Sequence, residues 1–281
     1  MTNKMQILRV DFSSRIGLGH LRRIETFVQR YKIANPIVIC KECDENLTTL
    51  PLVCIDSEIE FFEYVKRLKP SWVIVDNYKF TYENEREFKR LFPHIKLTVF
   101  DDTYTKHYAD EVINHNLGVQ KEKYENPHIV RIIPPLIREE FKKARRKRYK
   151  KEGVFFSLGG SDTKNLTLKI FKILKPLQIP INLYTTTTNK NLDTINKFAF
   201  RNRWVRLYIN EDVAEGMAKS AFGIITPSVI SYEAMYMGLD FIAIQTAANQ
   251  EEIVKFLRRN YKVLKDHEIN KIPGFIFRRK S

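Results

Sequence analysis

Residues 5–31 read MQILRVDFSSRIGLGHLRRIETFVQRY. A short apolar run at 5–10 (MQILRV) gives way to a small, polar, glycine-bearing loop. From 19 to 32 the apolar residues then recur at helical spacing. The unit strand–loop–helix repeats along the chain. Further Val/Ile-rich runs of strand length occur at 36–40, 52–55, 72–76 and 96–100, with helical spacing between them at 58–69 and 81–92. In 58–69, Ile59, Phe62, Val65 and Leu68 are expected to form one buried stripe. A polar, basic stretch follows Pro134 and Pro135, and then the alternation restarts. Strands are expected at 153–157, 181–185, 204–208, 222–226 and 241–244, and helices at 163–175, 189–199, 211–220, 229–238 and 249–259. Such alternation predicts α/β architecture with parallel strands. The expected organisation is two tandem Rossmann-like domains, 1–137 and 153–262, a basic linker at 138–152 and a basic tail at 263–281. An interdomain cleft is the expected ligand site.

Composition narrows the function classes. The 281 residues are 43% hydrophobic and 29% charged, which excludes a disordered or fibrous chain. No apolar run approaches the roughly 20 residues that span a bilayer. The N-terminus enters a strand at once and carries no secretory apolar segment, so a cytoplasmic location is expected. The three cysteines (Cys40, Cys43, Cys54) are expected to form no disulfide framework, as suits a reducing compartment. The net charge is +15, but eleven of those charges lie in 142–151 (KKARRKRYKK) and 278–280. A solvated helix face is the expectation for the first run, and no aromatic-basic nucleic-acid motif accompanies it. A non-catalytic nucleic-acid binder using that run and the tail is the competing class.

In open α/β sheets, binding residues collect in loops beyond the strand carboxyl ends. After the first strand, Gly17 and Gly19 permit close backbone approach, and His20 follows directly. Histidine has an ordinary pKa near 6.5, which suits a general base at neutral pH. Arg23 is placed to pair with an acidic group or to bind substrate; Arg15 is a weaker candidate. The dinucleotide fingerprint would put a third glycine at position 22, where Arg22 stands. Asp76, Asp101 and Asp102 follow later strands, as caps or as site groups; the Asp101–Asp102 pair could coordinate a metal or position a histidine, but neighbours on an extended chain point apart, so the two should not share one ligand. Asn114, His115 and Asn116 are candidates for lining the cleft. Histidine and cysteine spacing supplies no metal site. After the next domain's first strand, SLGGSD (157–162) offers Gly159, Gly160 and Ser161 as phosphate-facing amides, with a helix cap at Asp162 or Ser161 as the plainer reading. Ser228 and Ser231 can cap a helix and donate to a diphosphate. Glu233 can accept from ribose hydroxyls. Asn249 and Gln250 can read a sugar or start a helix.

Together SSRIGLGHLRR (13–23), VDNYKF (75–80), FDD (100–102), INHN (113–116), LIREEF (136–141), SLGGSD with KNL (157–166), PSVISYEA (227–234) and NQE (249–251) resemble the GT-B superfamily. More closely they resemble the UDP-2,4-diacetamido-2,4,6-trideoxy-β-L-altropyranose hydrolases of pseudaminic acid biosynthesis, which serves flagellin glycosylation. The resemblance implies two Rossmann-like domains with UDP held by the second. It implies hydrolysis of the sugar–phosphate bond with inversion at C1, with no cofactor or metal. His20 maps onto the catalytic histidine. Gly19, Arg23, Tyr78 and Asn114 fall to the substrate, and Gly159, Gly160, Ser228, Glu233, Asn249 and Gln250 to UDP. The basic end, IFRRKS, departs from the family pattern. A UDP-sugar-dependent glycosyltransferase of the same fold is the alternative, differing in using an acceptor hydroxyl instead of water.

Overall fold

The structure is a computed structural model that describes residues 5–13, 17–43, 45–160, 162 and 164–276. The candidates Arg15 and Ser161 and the end of the tail, 277–281, lie outside the described residues. The chain divides into two compact units, Met1–Leu136 and Ile137–Ser281.

In the first unit the strands are β1 (Gln6–Val10), β2 (Pro36–Cys40), β3 (Leu52–Cys54), β4 (Trp72–Asp76), β5 (Lys96–Phe100), β6 (Glu111–Asn114) and β7 (Val130–Ile132). They form one parallel sheet in the order β3-β2-β1-β4-β5-β6-β7. Helices α1 (Gly19–Tyr31), α2 (Glu58–Leu68) and α3 (Tyr82–Leu91) make the crossovers. Side chains alternate across β1, so each sheet face has its own core. Leu8 and Val10 join Leu21, Ile24 and Phe27 of α1 on one face. Ile7 joins Phe61 and Val65 of α2 and Phe88 of α3 on the other. Arg9 is fully buried in the middle of β1. Asp11 and Glu58 each lie 2.5 Å from its guanidinium and neutralise it.

The expected stripe on α2 is corrected at one end. Phe61 and Val65 are buried, but Ile59 is 75% exposed. A strict three-residue repeat drifts around a helix of 3.6 residues per turn, so Ile59 rotates off the face that Val65 occupies. Ser57 caps this helix, its hydroxyl accepting from the Glu60 N–H at 3.2 Å.

In the second unit the strands are β8 (Val154–Ser157), β9 (Ile181–Thr185), β10 (Val205–Ile209), β11 (Phe222–Ile225), β12 (Phe241–Gln245) and β13 (Lys262–Lys265), parallel in the order β10-β9-β8-β11-β12-β13. The helices are α4 (Glu139–Arg145), α5 (Leu166–Leu174), α6 (Leu192–Arg201), α7 (Val213–Lys219), α8 (Val229–Tyr236) and α9 (Glu251–Leu257), with a last turn, α10, at Pro273–Ile276. The stretch expected as a linker thus carries α4, whose Phe141 and Ala144 are buried and which packs on α7. Its basic residues are mostly exposed, and Arg145 stacks on the Tyr236 ring. Residues 262–265, where the tail was expected to begin, pair with β12.

The cysteine expectation is also corrected. Cys43 and Cys54 are disulfide-bonded, and Cys40 is free and buried. The β2–β3 register sets Cys40 opposite Cys54, and the turn leaving β2 carries Cys43 to a Cα separation of 6.3 Å from Cys54, within bridging range, which their spacing in sequence could not reveal. The thiols therefore give no basis for a reducing compartment. Among the described residues, no helix is long and apolar enough to cross a membrane.

Helix α7 approaches the second sheet through Gly216. A Cβ there would lie 2.3 Å from the Tyr184 ring. That ring is fixed by stacking on Tyr208, 4.6 Å away at 4°. Gly216→Ala should therefore lower stability by about 1–3 kcal/mol, the usual range for an overpacked core. Thermal unfolding of the variant beside the parent protein measures it.

Candidate active site

In the first sheet the strand order reverses between β1 and β4, and the loops beyond their carboxyl ends meet there. Gly17 closes the loop after β1. Its N–H donates to the Ser13 carbonyl at 2.9 Å, with a φ of +92° that favours glycine. Helix α1 then begins at Gly19, and His20 stands in its first turn.

His20 Nδ1 lies 2.6 Å from Asp76 Oδ1 at the end of β4. One turn on, Arg23 grips the same carboxylate twice, Nε to Oδ2 at 2.7 Å and Nη2 to Oδ1 at 2.5 Å. Its remaining nitrogen, Nη1, donates to Asp102 Oδ2 at 3.0 Å. The other oxygen of Asp102 accepts from the Tyr78 hydroxyl at 2.6 Å. The His20 and Tyr78 rings meet edge-on, 4.8 Å between centroids. One continuous polar chain therefore runs Tyr78–Asp102–Arg23–Asp76–His20.

Charge fixes the protons in this chain. Burial alone would raise the pKa of Asp76, but the charge of Arg23 and the contact with His20 outweigh it and hold the carboxyl well below the usual range. Burial likewise opposes the charge on Arg23, and Asp76 and Asp102 hold it protonated. An ionised carboxylate only accepts, so the proton of the His20–Asp76 bond sits on Nδ1. The lone pair is left on Nε2, at the far side of a ring that is 26% exposed. This is the tautomer a general base needs.

Of the sequence candidates in this unit, His20, Arg23 and Tyr78 come together. Arg23 is buried and its nitrogens are engaged by Asp76 and Asp102, so of its two expected roles the pairing with acidic groups is the one the contacts display. Asn114 is tied into the fold at the end of β6. It is buried, its amide donates to the Tyr124 hydroxyl at 2.9 Å, and its carbonyl accepts from the Asn116 N–H at 2.8 Å. His115 is buried beyond β6, and burial followed by the Arg23 charge pushes its pKa down to about 3, so it is neutral. The adjacent aspartates part company. Asp101 accepts from Thr103 and Tyr104 N–H groups and builds its loop, while Asp102 turns to Arg23. Sequence reading offered the Asp101–Asp102 pair as able to position a histidine, whereas the carboxylate on His20 is that of Asp76. It gave no role to Asp11, which accepts from the Lys41 N–H at 2.7 Å and the Asn77 amide at 2.8 Å and so ties the loops after β1, β2 and β4 together. A carboxylate one residue past a strand was the available signal.

In the second sheet the order reverses between β8 and β11. Gly159 beyond β8 has a φ of +85°. A Cβ on Gly160 would lie 2.8 Å from Thr186 Oγ1, and its carbonyl accepts from the Thr185 and Thr186 hydroxyls at 3.1 Å each. Asp162 serves as the helix cap that the plainer reading of this loop expected. Its carboxylate accepts the Leu166 and Thr167 N–H groups at 3.0 and 2.9 Å, so the start of α5 is already capped by an anion. The start of α8 differs. Ser228 makes no side-chain cap bond there, and its hydroxyl lies 3.1 Å from Thr226 Oγ1. The Ser231 hydroxyl donates to the Ser228 carbonyl. Glu233 is buried, and Arg138 engages both its oxygens, at 2.6 and 2.9 Å. Burial raises the pKa of Glu233, an effect Arg138 offsets only in part. Arg138, within LIREEF, is the partner that sequence reading did not single out. Gln250 Oε1 accepts from the Thr246 and Ala247 N–H groups, which shapes the turn into α9. The side chain of Asn249 lies outside the described residues.

Replacing Arg23 with Gln leaves Asp76 buried beside no cation. Removing one partner of a buried pair costs about 3–5 kcal/mol. In the parent, the depressed pKa of Asp76 contributes stability above its unfolded value, which is lost as pH falls through the folded one. In Arg23→Gln the carboxyl is destabilised as an anion, so acid relieves it. The stability gap should be widest at pH 7 and narrow toward pH 4.5, measured by urea unfolding of both proteins.

No family model matches the chain. It is 31% identical over 276 residues to the UDP-2,4-diacetamido-2,4,6-trideoxy-β-L-altropyranose hydrolase of Campylobacter jejuni, spanning 92% of this chain and 97% of that protein. Solved structures of similar fold include MurG from Acinetobacter baumannii, with 12% identity, 98% of this chain, 92% of that one and a TM-score of 0.66. They also include an Os79 variant from O. sativa solved in complex with UDP, with 10% identity, 98% and 91% coverage and a TM-score of 0.66. At such identities the likeness is one of fold, the GT-B fold of paired α/β domains that the two parallel sheets display. The match to the Campylobacter protein runs at higher identity along nearly the whole of both chains, and the chain belongs to the family of UDP-2,4-diacetamido-2,4,6-trideoxy-β-L-altropyranose hydrolases.

Proposed function

We propose that the protein hydrolyses a UDP-linked 2,4-diacetamido-2,4,6-trideoxy hexose to the free sugar and UDP, with inversion at C1 and without a metal, as a step of pseudaminic acid biosynthesis. Family membership supports the substrate class. The observation that carries the mechanism is the His20–Asp76 contact, 2.6 Å from Nδ1 to a buried carboxylate, which leaves Nε2 as the base.

In this mechanism Nε2 of His20 takes a proton from water as its oxygen bonds to C1 on the face opposite the diphosphate. The C1–oxygen bond to UDP breaks through an oxocarbenium-like state. The proton gained on Nε2 makes an imidazolium, and the ionised Asp76 balances it through Nδ1–H. The diphosphate is a good leaving group, and amide donors aimed at it stabilise its growing charge. Gly159, Gly160 and the uncapped start of α8 at Ser228 are the groups proposed for that task, and the capped start of α5 is not. Glu233, Asn249 and Gln250 are proposed to hold the nucleoside, Glu233 as one member of a pair with Arg138. Gly19 and Tyr78 are proposed to face the sugar. A soluble enzyme of the cytoplasm fits this reading.

His20→Ala should keep UDP affinity and lose turnover by about 10²–10⁴-fold, the usual worth of a general base. Proton NMR of the UDP-sugar with enzyme in EDTA and without acceptor follows free UDP and the configuration of the released sugar. UDP release that requires an added acceptor would make the protein a glycosyltransferase, and a near-parental rate in His20→Ala would remove the base assignment.

A further inference from the structure

We propose that Asp102 is a positioning residue of this site, one that commits the only proton of the Tyr78 hydroxyl and so makes Tyr78 a pure acceptor for an N–H donor of the sugar. The geometry is specific. Asp102 Oδ1 takes the Tyr78 hydroxyl proton at 2.6 Å while Oδ2 takes Arg23 Nη1 at 3.0 Å. Arg23 is buried and clamped to Asp76, so Asp102 cannot swing away without giving up that bond. The Tyr78 side is the open one, with 49% of the residue exposed beside the His20 ring. What Tyr78 presents to solvent is therefore oxygen lone pairs. An acetamido N–H, a donor of fixed direction, is complementary to such a group; a carbonyl or ether oxygen is not. Burial and the neighbouring Asp102 charge also hold the phenol proton well above its usual pKa, so Tyr78 is neutral throughout the working range.

The substrate class in this inference rests on the hydrolase reading, but the proton arrangement does not. Asp102→Asn separates the two. An amide in the same place keeps an oxygen on one side and puts a donating NH2 on the other, so either Arg23 or the Tyr78 hydroxyl loses its acceptor. Among the described residues, the ionisable groups around Tyr78 and His20 are Asp76 from β4, Arg23 from α1, Asp102 after β5 and the neutral His115 after β6. Of these, the substitution removes one negative charge.

The test combines a proton readout with kinetics. ¹³Cζ-tyrosine NMR, with the Tyr78 resonance assigned by its loss in Tyr78→Phe, follows phenol ionisation in the parent and in Asp102→Asn, each checked by circular dichroism for a native fold. The Tyr78 signal should ionise at lower pH in Asp102→Asn, by about one unit, because a like charge and a proton acceptor have both gone. In turnover of the UDP-diacetamido sugar, Asp102→Asn and Tyr78→Phe should each lose about 2–10-fold in kcat/KM, the worth of a hydrogen bond between neutral groups. The double variant should lose little more than the worse single one, since both substitutions act on one contact. An unmoved Tyr78 titration in folded Asp102→Asn overturns the proposal, as do losses that multiply in the double variant. Should the parent protein fail to turn over this sugar, the hydrolase reading falls and the titration alone decides for or against Asp102.

Discussion

The buried carboxylate of Asp76 is the constraint around which the first unit's site is arranged. An isolated anion in that position would cost several kcal/mol in lost hydration. It survives there because Arg23 meets it with two donors and His20 with a third. The requirement runs in both directions. Asp76 needs cationic and N–H partners from α1, and α1 can supply them only if it starts at Gly19, directly beyond the loop that Gly17 turns. Burial of the anion thus sets the position of the helix, and the helix sets the tautomer of the base.

The second unit handles its buried acids by the same physics, with a different result. Asp162 is compensated by backbone N–H groups and spends itself capping α5. Glu233 is compensated by Arg138, whose own side chain is a quarter exposed. The first arrangement removes a helix start from service as an anion site. The second places a carboxylate under the control of a side chain that water and ligands can reach. The start of α8 carries no acidic side chain in its first turn and no side-chain cap, so it retains its favourable field for a phosphate.

Much of this was legible in the sequence because strand and helix periods differ so sharply. The runs at 36–40, 72–76, 96–100 and 181–185 are strands with those same bounds. What escaped has physical causes. Strands β6 (EVIN) and β7 (VRI) are too short and too mixed in polarity to show a period; only their hydrogen bonds to β5 and to each other define them. Helix α4 hides in a run whose charges swamp the two apolar residues that anchor it. At the site, His20 and Tyr78 announce themselves through glycine context and motif. The chain Asp102–Arg23–Asp76 joins residues 23, 76 and 102, and nothing local in the sequence ties them. Asn114 shows the converse. It stands at a strand end, where binding residues gather, yet each of its polar ends already holds a bond inside the fold.

The same chain explains why the cation at position 23 is an arginine. One residue must reach both oxygens of Asp76 and one of Asp102 at once, and only a planar fork of donors on three nitrogens can do so. A lysine would bring the charge without the geometry, and one of the two carboxylates would be left short of a donor. The charge balance points the same way. Arg23 carries one positive charge against the two negative charges of Asp76 and Asp102, so the cluster is left one negative charge in excess. In the proposed mechanism, that excess is the counter-charge for the imidazolium formed when His20 takes a proton. On that proposal, compensation for the state after proton transfer is already in place. Electrostatic preorganisation of this kind requires no movement of charged groups as the reaction proceeds.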